Sequence, residues 1–304
     1  MSRVRVMGRN LIDIACNLTD PVFRGVYNGR QKHADDFGEV MRRAEESKVS
    51  RIMVTGTNVA DSRQAVDMAA LHANLFATVG CHPTRCQEFG QDEEEAQRYL
   101  DQLRGLIRSS RKVVAVGELG LDYDRTMFCP PDVQRNRFEM QLELSSESGL
   151  PLFLHCRNAF SDFREILDRN RHKFQTGVVH SFDGTADQAL SLIHMGCYIG
   201  LNGCSLKTED NLKVVQEIPV DKIMLETDAP WCDIRPTHAG FRHVRTKFDS
   251  CKKERFEKGL QVRSRNEPCN IVQVLEVVAG VKGMDPDELA DIIRKTTESV
   301  FKLD

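Results

Sequence analysis

Glu118, His155, His180 and Asp228 each close a short apolar run. VVAVG leads into Glu118, LPLFL into His155, TGVV into His180 and KIMLET into Asp228. Two imidazoles and two carboxylates form a mixed nitrogen and oxygen donor set, suited by ligand type to zinc, manganese or magnesium. A carboxylate can bridge two cations, and a cation pair can stabilise both the attacking and the departing oxygen of a phosphodiester. Asp228 can also orient or deprotonate an attacking water. A lone histidine after a strand is usually a hydrogen-bonded core residue. Four such endings in succession point to a metal site.

The runs that carry these residues read as buried parallel strands, rich in Val, Ile and Leu and bounded by polar turns. Eight strand-like runs are expected, near Leu11–Ala15, Arg51–Thr55, Leu75–Gly80, Val113–Gly117, Leu152–Leu154, Gly177–Val179, Cys197–Leu201 and Ile223–Leu225. Helical patterns separate them over 35–47, 60–72, 93–109, 133–148, 162–170, 186–195 and 209–218. Strict alternation implies βα units with right-handed crossovers, and eight units close a TIM (β/α)8 barrel. Chemistry in that fold sits at the carboxyl ends of the strands. An open doubly wound sheet is the alternative, but it would gather function at one switch point instead of spreading donors over strands four, five, six and eight. Beyond the eighth strand come a long loop and closing helices from about Pro268 and from Pro286, the latter capped by Asp285. No low-complexity linker, composition break or repeat divides the chain, so one domain over residues 1–304 is expected.

The 304 residues are 40% apolar and contain no uninterrupted apolar run of about 18 residues, so no membrane span is expected. The opening is basic, but Asp13 and Asn17 break any secretory pattern. The ten cysteines include no C-x-x-C pair, which favours reduced thiols in the cytoplasm or nucleus. Lys252, Lys253 and Arg255 are too short a cluster to choose between those compartments. Net charge is −3, yet Arg235 to Arg265 holds ten Lys or Arg against three Asp or Glu. A basic segment that starts just past Asp228 would attract a polyanion.

Other residues at the ends of strands fit phosphate handling. His82 lies in VGCHP, Arg157 in LHCR and Lys207 in NGCSLK. Arg157 is the best phosphate contact among them, because guanidinium binds phosphate bidentately. Glu226, two residues before Asp228, fits either a partner that orients a ligand or a core carboxylate in an ion pair. Phosphate-loop, dinucleotide-turn, H-E-x-x-H and G-x-S-x-G patterns are missing.

GELGLDYDR, FLHCR, VVHSFDG, ETDAPW, VGCHPT and RNEP, in order across nearly the whole chain, closely resemble the TatD family of metal-dependent deoxyribonucleases. The resemblance implies a barrel of the metallohydrolase type with an extra C-terminal helix, cleavage of DNA from its 3′ end and a requirement for one or two divalent cations. It places the metal ligands on Glu118, His155, His180 and Asp228, with Glu118 and Asp228 catalytic. For such a nuclease Arg157, Lys207 and Arg265 are expected on the DNA backbone, with His82 nearby and Trp231 placed to stack on a base.

Many family members carry Asp-x-His-x-His at the end of the first strand. Ala15 and Asn17 stand where the histidines would be. Ala15 cannot coordinate and Asn17 offers a neutral oxygen, so one cation site is weakened and Asn17 becomes a substrate-binding or supporting residue. Magnesium, which keeps waters and accepts substrate oxygens, is then favoured over zinc or manganese. A small-molecule amidohydrolase, an aminoacyl-tRNA hydrolase and a weakly catalytic nucleic-acid binder are the rival readings.

Overall fold

Strand and helix alternate along the chain as the apolar runs require. The computed structural model describes residues 10–303; the basic opening and both extremities of the expected 1–304 unit lie outside that range. Eight parallel strands form one sheet in chain order: β1 (Leu11–Cys16), β2 (Val49–Val54), β3 (Leu75–Val79), β4 (Val113–Asp122), β5 (Leu152–Arg157), β6 (Gly177–Val179), β7 (Cys197–Leu201) and β8 (Ile223–Leu225). The segment after β8 returns to β1: Asp228 N donates to Ala15 O at 2.8 Å and Asn17 N to Ala229 O at 2.7 Å. These bonds join the ends of the sheet, so the open-sheet alternative does not apply.

Helices α1 (Phe37–Glu46), α2 (Val59–Leu71), α3 (Glu93–Ser109), α4 (Pro131–Ser148), α5 (Phe160–Arg169), α6 (Ala186–His194), α7 (Glu209–Glu217) and α8 (Ile271–Lys282) follow the strands, and α9 (Pro286–Phe301) is the additional one. Several starts are fixed by side-chain caps. Asn58, Asp92, Thr185 and Thr208 each accept from the backbone N–H three residues on, and Asp285 caps α9. Pro268 opens a single tight turn that runs into α8 at Ile271.

Alternation along the strands sorts the apolar residues into two cores. Ile12, Ile14, Met53, Phe76, Phe153 and Met224 fill the barrel, while Leu11, Ile52, Leu75 and Leu152 face the helices. Phe301 and Leu303, at the end of α9, join the interior group and seal the barrel floor. Burying a side chain of this size stabilises by about 1.5–3 kcal/mol, enough to dock the last helix turn.

β4 departs from expectation. It does not stop at Gly117 but continues to Asp122, with a register shift after Val116↔Leu152 before pairing resumes at Leu119↔Leu154 and Gly120↔His155. Gly117 and Gly120 have φ of 148° and 146°, a region that L side chains avoid. A Cβ at Gly117 would strike the Phe153 carbonyl, and one at Gly120 the His155 carbonyl. Glu118 therefore sits in a mid-strand bulge instead of at a strand end. Bulges re-aim side chains in this way.

Gly120→Ala is expected to destabilise by at least about 3 kcal/mol, lowering the thermal midpoint on the order of 10 °C. Gly38→Ala in α1, where nothing lies within 4 Å of the new methyl, is expected to be neutral or stabilising. Thermal unfolding of both variants checks this; equal midpoints would remove the steric account of the bulge.

Candidate metal centre

The bulge turns Glu118 toward the ends of β5 and β6. Its Oε1 lies 2.8 Å from His155 Nδ1, 2.7 Å from His180 Nε2 and 3.5 Å from His82 Nε2. The His155 and His180 nitrogens are themselves 3.4 Å apart. Donor atoms of His82, Glu118 and His155 all fall within 4.8 Å of one another. All four residues are buried.

Electrostatics keeps Glu118 and His82 in ligand form. Burial opposes ionisation of Glu118, yet His180, His82 and His155 hold its pKa well below the usual carboxylate range. Burial pushes His82 down to about 3 against the pull of Glu118, so its ring is neutral and keeps a lone pair. His180 goes the other way: burial is overcome by Glu118 and Glu226, which raise it well above the ordinary value.

The outer nitrogens have carboxylates behind them. His155 Nε2 lies 3.3 Å from Asp122 Oδ2 and His180 Nδ1 lies 3.5 Å from Glu226 Oε1. Those distances hold charge together, but neither buried nitrogen has an aligned hydrogen bond. Glu226 Oε1 is fixed by Ser181 N at 2.7 Å and Asn202 Nδ2 at 2.8 Å. Ligand atoms converging on one spot, with carboxylates behind the His155 and His180 imidazoles, fit a divalent cation.

Asp228 approaches from the barrel seam and hydrogen-bonds to none of these four residues. Its Oδ1 accepts from Asn17 Nδ2 at 3.0 Å and its Oδ2 from the Cys232 thiol at 3.2 Å. Burial pushes its pKa up to about 6. The preceding residue is clamped by Asp13, which accepts from Thr227 N at 2.9 Å and Thr227 Oγ1 at 2.5 Å. Burial raises Asp13 to about 8 despite those bonds.

The remaining expected site residues divide. Arg157 reaches the mouth, pairing with Asp183 and donating to Ser181 O at 3.3 Å. Lys207 is exposed and Trp231 is 56% exposed. His82, expected on phosphate, lies instead among the metal donors. Arg265, expected on the DNA backbone, requires correction: it is 4% exposed, its guanidinium 2.6 Å from Asp36 and 2.8 Å from Glu267. Arg43 completes this buried network through Glu267 at 2.7 Å. A guanidinium so committed has no free face for a phosphate. The sequence reading also missed Asp122, whose signal was its place in GLDYD, and the thiol of Cys232. A cavity of about 690 Å³ opens at the opposite, amino-terminal end of the strands, beside Arg108, Arg111 and Tyr198, and holds none of the donors.

The TatD-related DNase model matches residues 12–302, spanning every barrel strand and helix except the first residue of β1. The chain belongs to the TatD-related DNase family. It is 49% identical over 287 residues to the deoxyribonuclease Tat-D of Schizosaccharomyces pombe, with 92% of each chain covered. It is 33% identical to the 3′-5′ ssDNA/RNA exonuclease TatD of Erwinia tasmaniensis, covering 96% of this chain and 100% of that one. The crystal structure of a TatD family hydrolase from Entamoeba histolytica superposes with a TM-score of 0.91 at 32% identity, covering 98% of this chain and 100% of that chain. A TatD-family barrel of the amidohydrolase type is thus the fold of this chain.

Arg265→Ala would leave Asp36 and Glu267 buried without their partner. A loss of about 3–5 kcal/mol in stability is expected, with the salt dependence of DNA binding unchanged. Chemical denaturation and binding titrations over a salt series check both halves; a flatter salt slope in a well-folded variant would return Arg265 to the phosphate contacts.

Proposed function

We propose that this chain is a divalent-metal-dependent deoxyribonuclease that shortens DNA from the 3′ end. The observation that carries the reading is the convergence of His155 Nδ1 and His180 Nε2 on one oxygen of Glu118, with His82 beside them. The direction is taken from the name of the bacterial relatives.

Glu118, His155 and His180 would hold the cation, with His82 completing the set. Such a cation, when bound, would supply Lewis acidity to a phosphoryl oxygen and to water. Asp228 receives the proton of the attacking water, its carboxylate oriented by Asn17 and Cys232. Asp122 and Glu226 keep the imidazoles turned inward. Arg157 and Lys207 bind the substrate phosphates, and the exposed face of Trp231 offers a stacking surface that tolerates any base. Beyond Trp231, the chain from Arg235 carries its positive charge past the mouth. Part of that charge is already committed, with Arg242 on Glu209 and Arg265 on Asp36. Magnesium remains compatible through substrate oxygens. The imidazole-rich set favours manganese or zinc.

A 5′-labelled single-stranded oligonucleotide tests the reaction after chelation and return of magnesium, manganese or zinc singly. A ladder of shortened labelled products is expected; immediate release of labelled mononucleotide would reverse the polarity, and no cleavage with any metal would refute the proposal. Glu118→Gln and Asp228→Asn are each expected to slow cleavage by about 10²–10⁴-fold in folded protein. Rates within tenfold of the parent would remove the residue from its role. Arg157→Ala should lower the slope of log affinity against log salt by about 0.7, the share of one single-strand phosphate.

A further inference from the structure

Seven of the ten cysteines are buried; Cys156, Cys204 and Cys232 are partly exposed. Two of these three meet. The Sγ atoms of Cys204 and Cys232 are 3.0 Å apart, about 1 Å beyond a disulfide bond. They come from different loops, the turn Gly203–Leu206 after β7 and the segment after β8. Gly203 allows the approach, since a Cβ there would strike the Cys232 carbonyl. Lys207 and Arg157 lie near Cys204 and favour its thiolate.

We propose that Cys204 and Cys232 are a modification site, an oxidisable dithiol that a peroxide converts to a disulfide, removing the thiol hydrogen bond that Cys232 gives to Asp228. The effect on catalysis rests on the role proposed above for Asp228; the chemistry of the pair does not. The Cys204 thiolate attacks one peroxide oxygen, forming S–O as O–O breaks, and the departing hydroxide takes up a proton to leave as water. The Cys232 sulfur then attacks the sulfenic sulfur: S–S forms, S–O breaks, and the second hydroxide leaves as water with the Cys232 proton. Two thiols lose two electrons and the peroxide is reduced to two waters.

Support comes from the ionisation of the pair. The Cys204 thiol is lowered to about 6 by its hydrogen bond with Cys232 and by Lys207 and Arg157, against burial. Cys232 Sγ stands within reach of both partners, 3.0 Å from Cys204 Sγ and 3.2 Å from Asp228 Oδ2. An attacking thiolate thus sits beside a resolving thiol. Access completes the case, because both side chains lie at the open end of the barrel while most other thiols are buried.

Full-length protein treated with a small excess of hydrogen peroxide, alkylated and digested without reductant, should yield a peptide pair joined through Cys204 and Cys232, lighter by two hydrogens than its reduced components. Dithiothreitol should reverse it, and Cys204→Ser should abolish it. Free alkylation of both residues after peroxide, a sulfinic acid at Cys204 without a cross-link, or a cross-link elsewhere would overturn the site. This readout needs no nuclease activity. In the cleavage assay the oxidised protein should be about tenfold slower and recover on reduction, while Cys204→Ser should be insensitive to peroxide. A cross-linked protein that cleaves at the reduced rate would overturn the link to Asp228.

Discussion

The buried carboxylate of Glu118 is the constraint around which the mouth of this barrel is arranged. Only 6% of the residue is exposed, and removing an ionised carboxylate from water costs several kcal/mol unless opposite charge or donors replace the lost solvent. Three histidines from the ends of three strands supply that replacement. Their own outward nitrogens would be stranded if nothing stood behind them. Asp122 stands behind His155, Glu226 behind His180 and the Thr84 hydroxyl behind His82, and Ser181 and Asn202 in turn fix Glu226. Carboxylate, imidazole and carboxylate thus alternate outward from the centre through His155 and His180, a network whose members hold one another in place.

Backbone chemistry makes that placement possible. A regular strand through residues 113–122 would alternate its side chains and could not deliver Glu118 to the axis while also aligning Leu119 with Leu154. The register shift resolves the conflict, and the glycines at 117 and 120 allow it because carbonyls of β5 occupy the space a side chain would need. Local sequence and global geometry therefore agree at the point where a local rule is broken.

The barrel is legible in the sequence because its signals are periodic: apolar strand runs, helical spacing and caps such as Asn58 and Asp285 each report on neighbours along the chain. The convergence of Glu118, His155 and His180 is legible for the same reason, each residue following a recognisable apolar run. Less is legible where function depends on partners far apart in sequence. Nothing near Arg265 reveals that Asp36, 229 positions away, will claim it. His82 gives no sign that its ring will turn toward Glu118 instead of outward. The extension of β4 is hidden by its own glycines, which read as a terminator although here they sustain the strand.

The seam between β8 and β1 shows how the chain accommodates Ala15 and Asn17. A cation held beside Asp228 by histidines would favour its ionised form through full charge. Asn17 offers one neutral amide hydrogen bond and Cys232 one weak thiol bond, each contributing about 0.5–1.5 kcal/mol. Against burial these are small, so the proton affinity of Asp228 stays elevated, with a pKa of about 6. The two bonds nevertheless occupy different oxygens and so fix the plane of the carboxylate, while Asp13 clamps Thr227 and the backbone of residue 228 is tied to Ala15. Orientation is thereby retained where charge stabilisation is reduced. A carboxylate held in place with its proton affinity raised suits the base role proposed for Asp228.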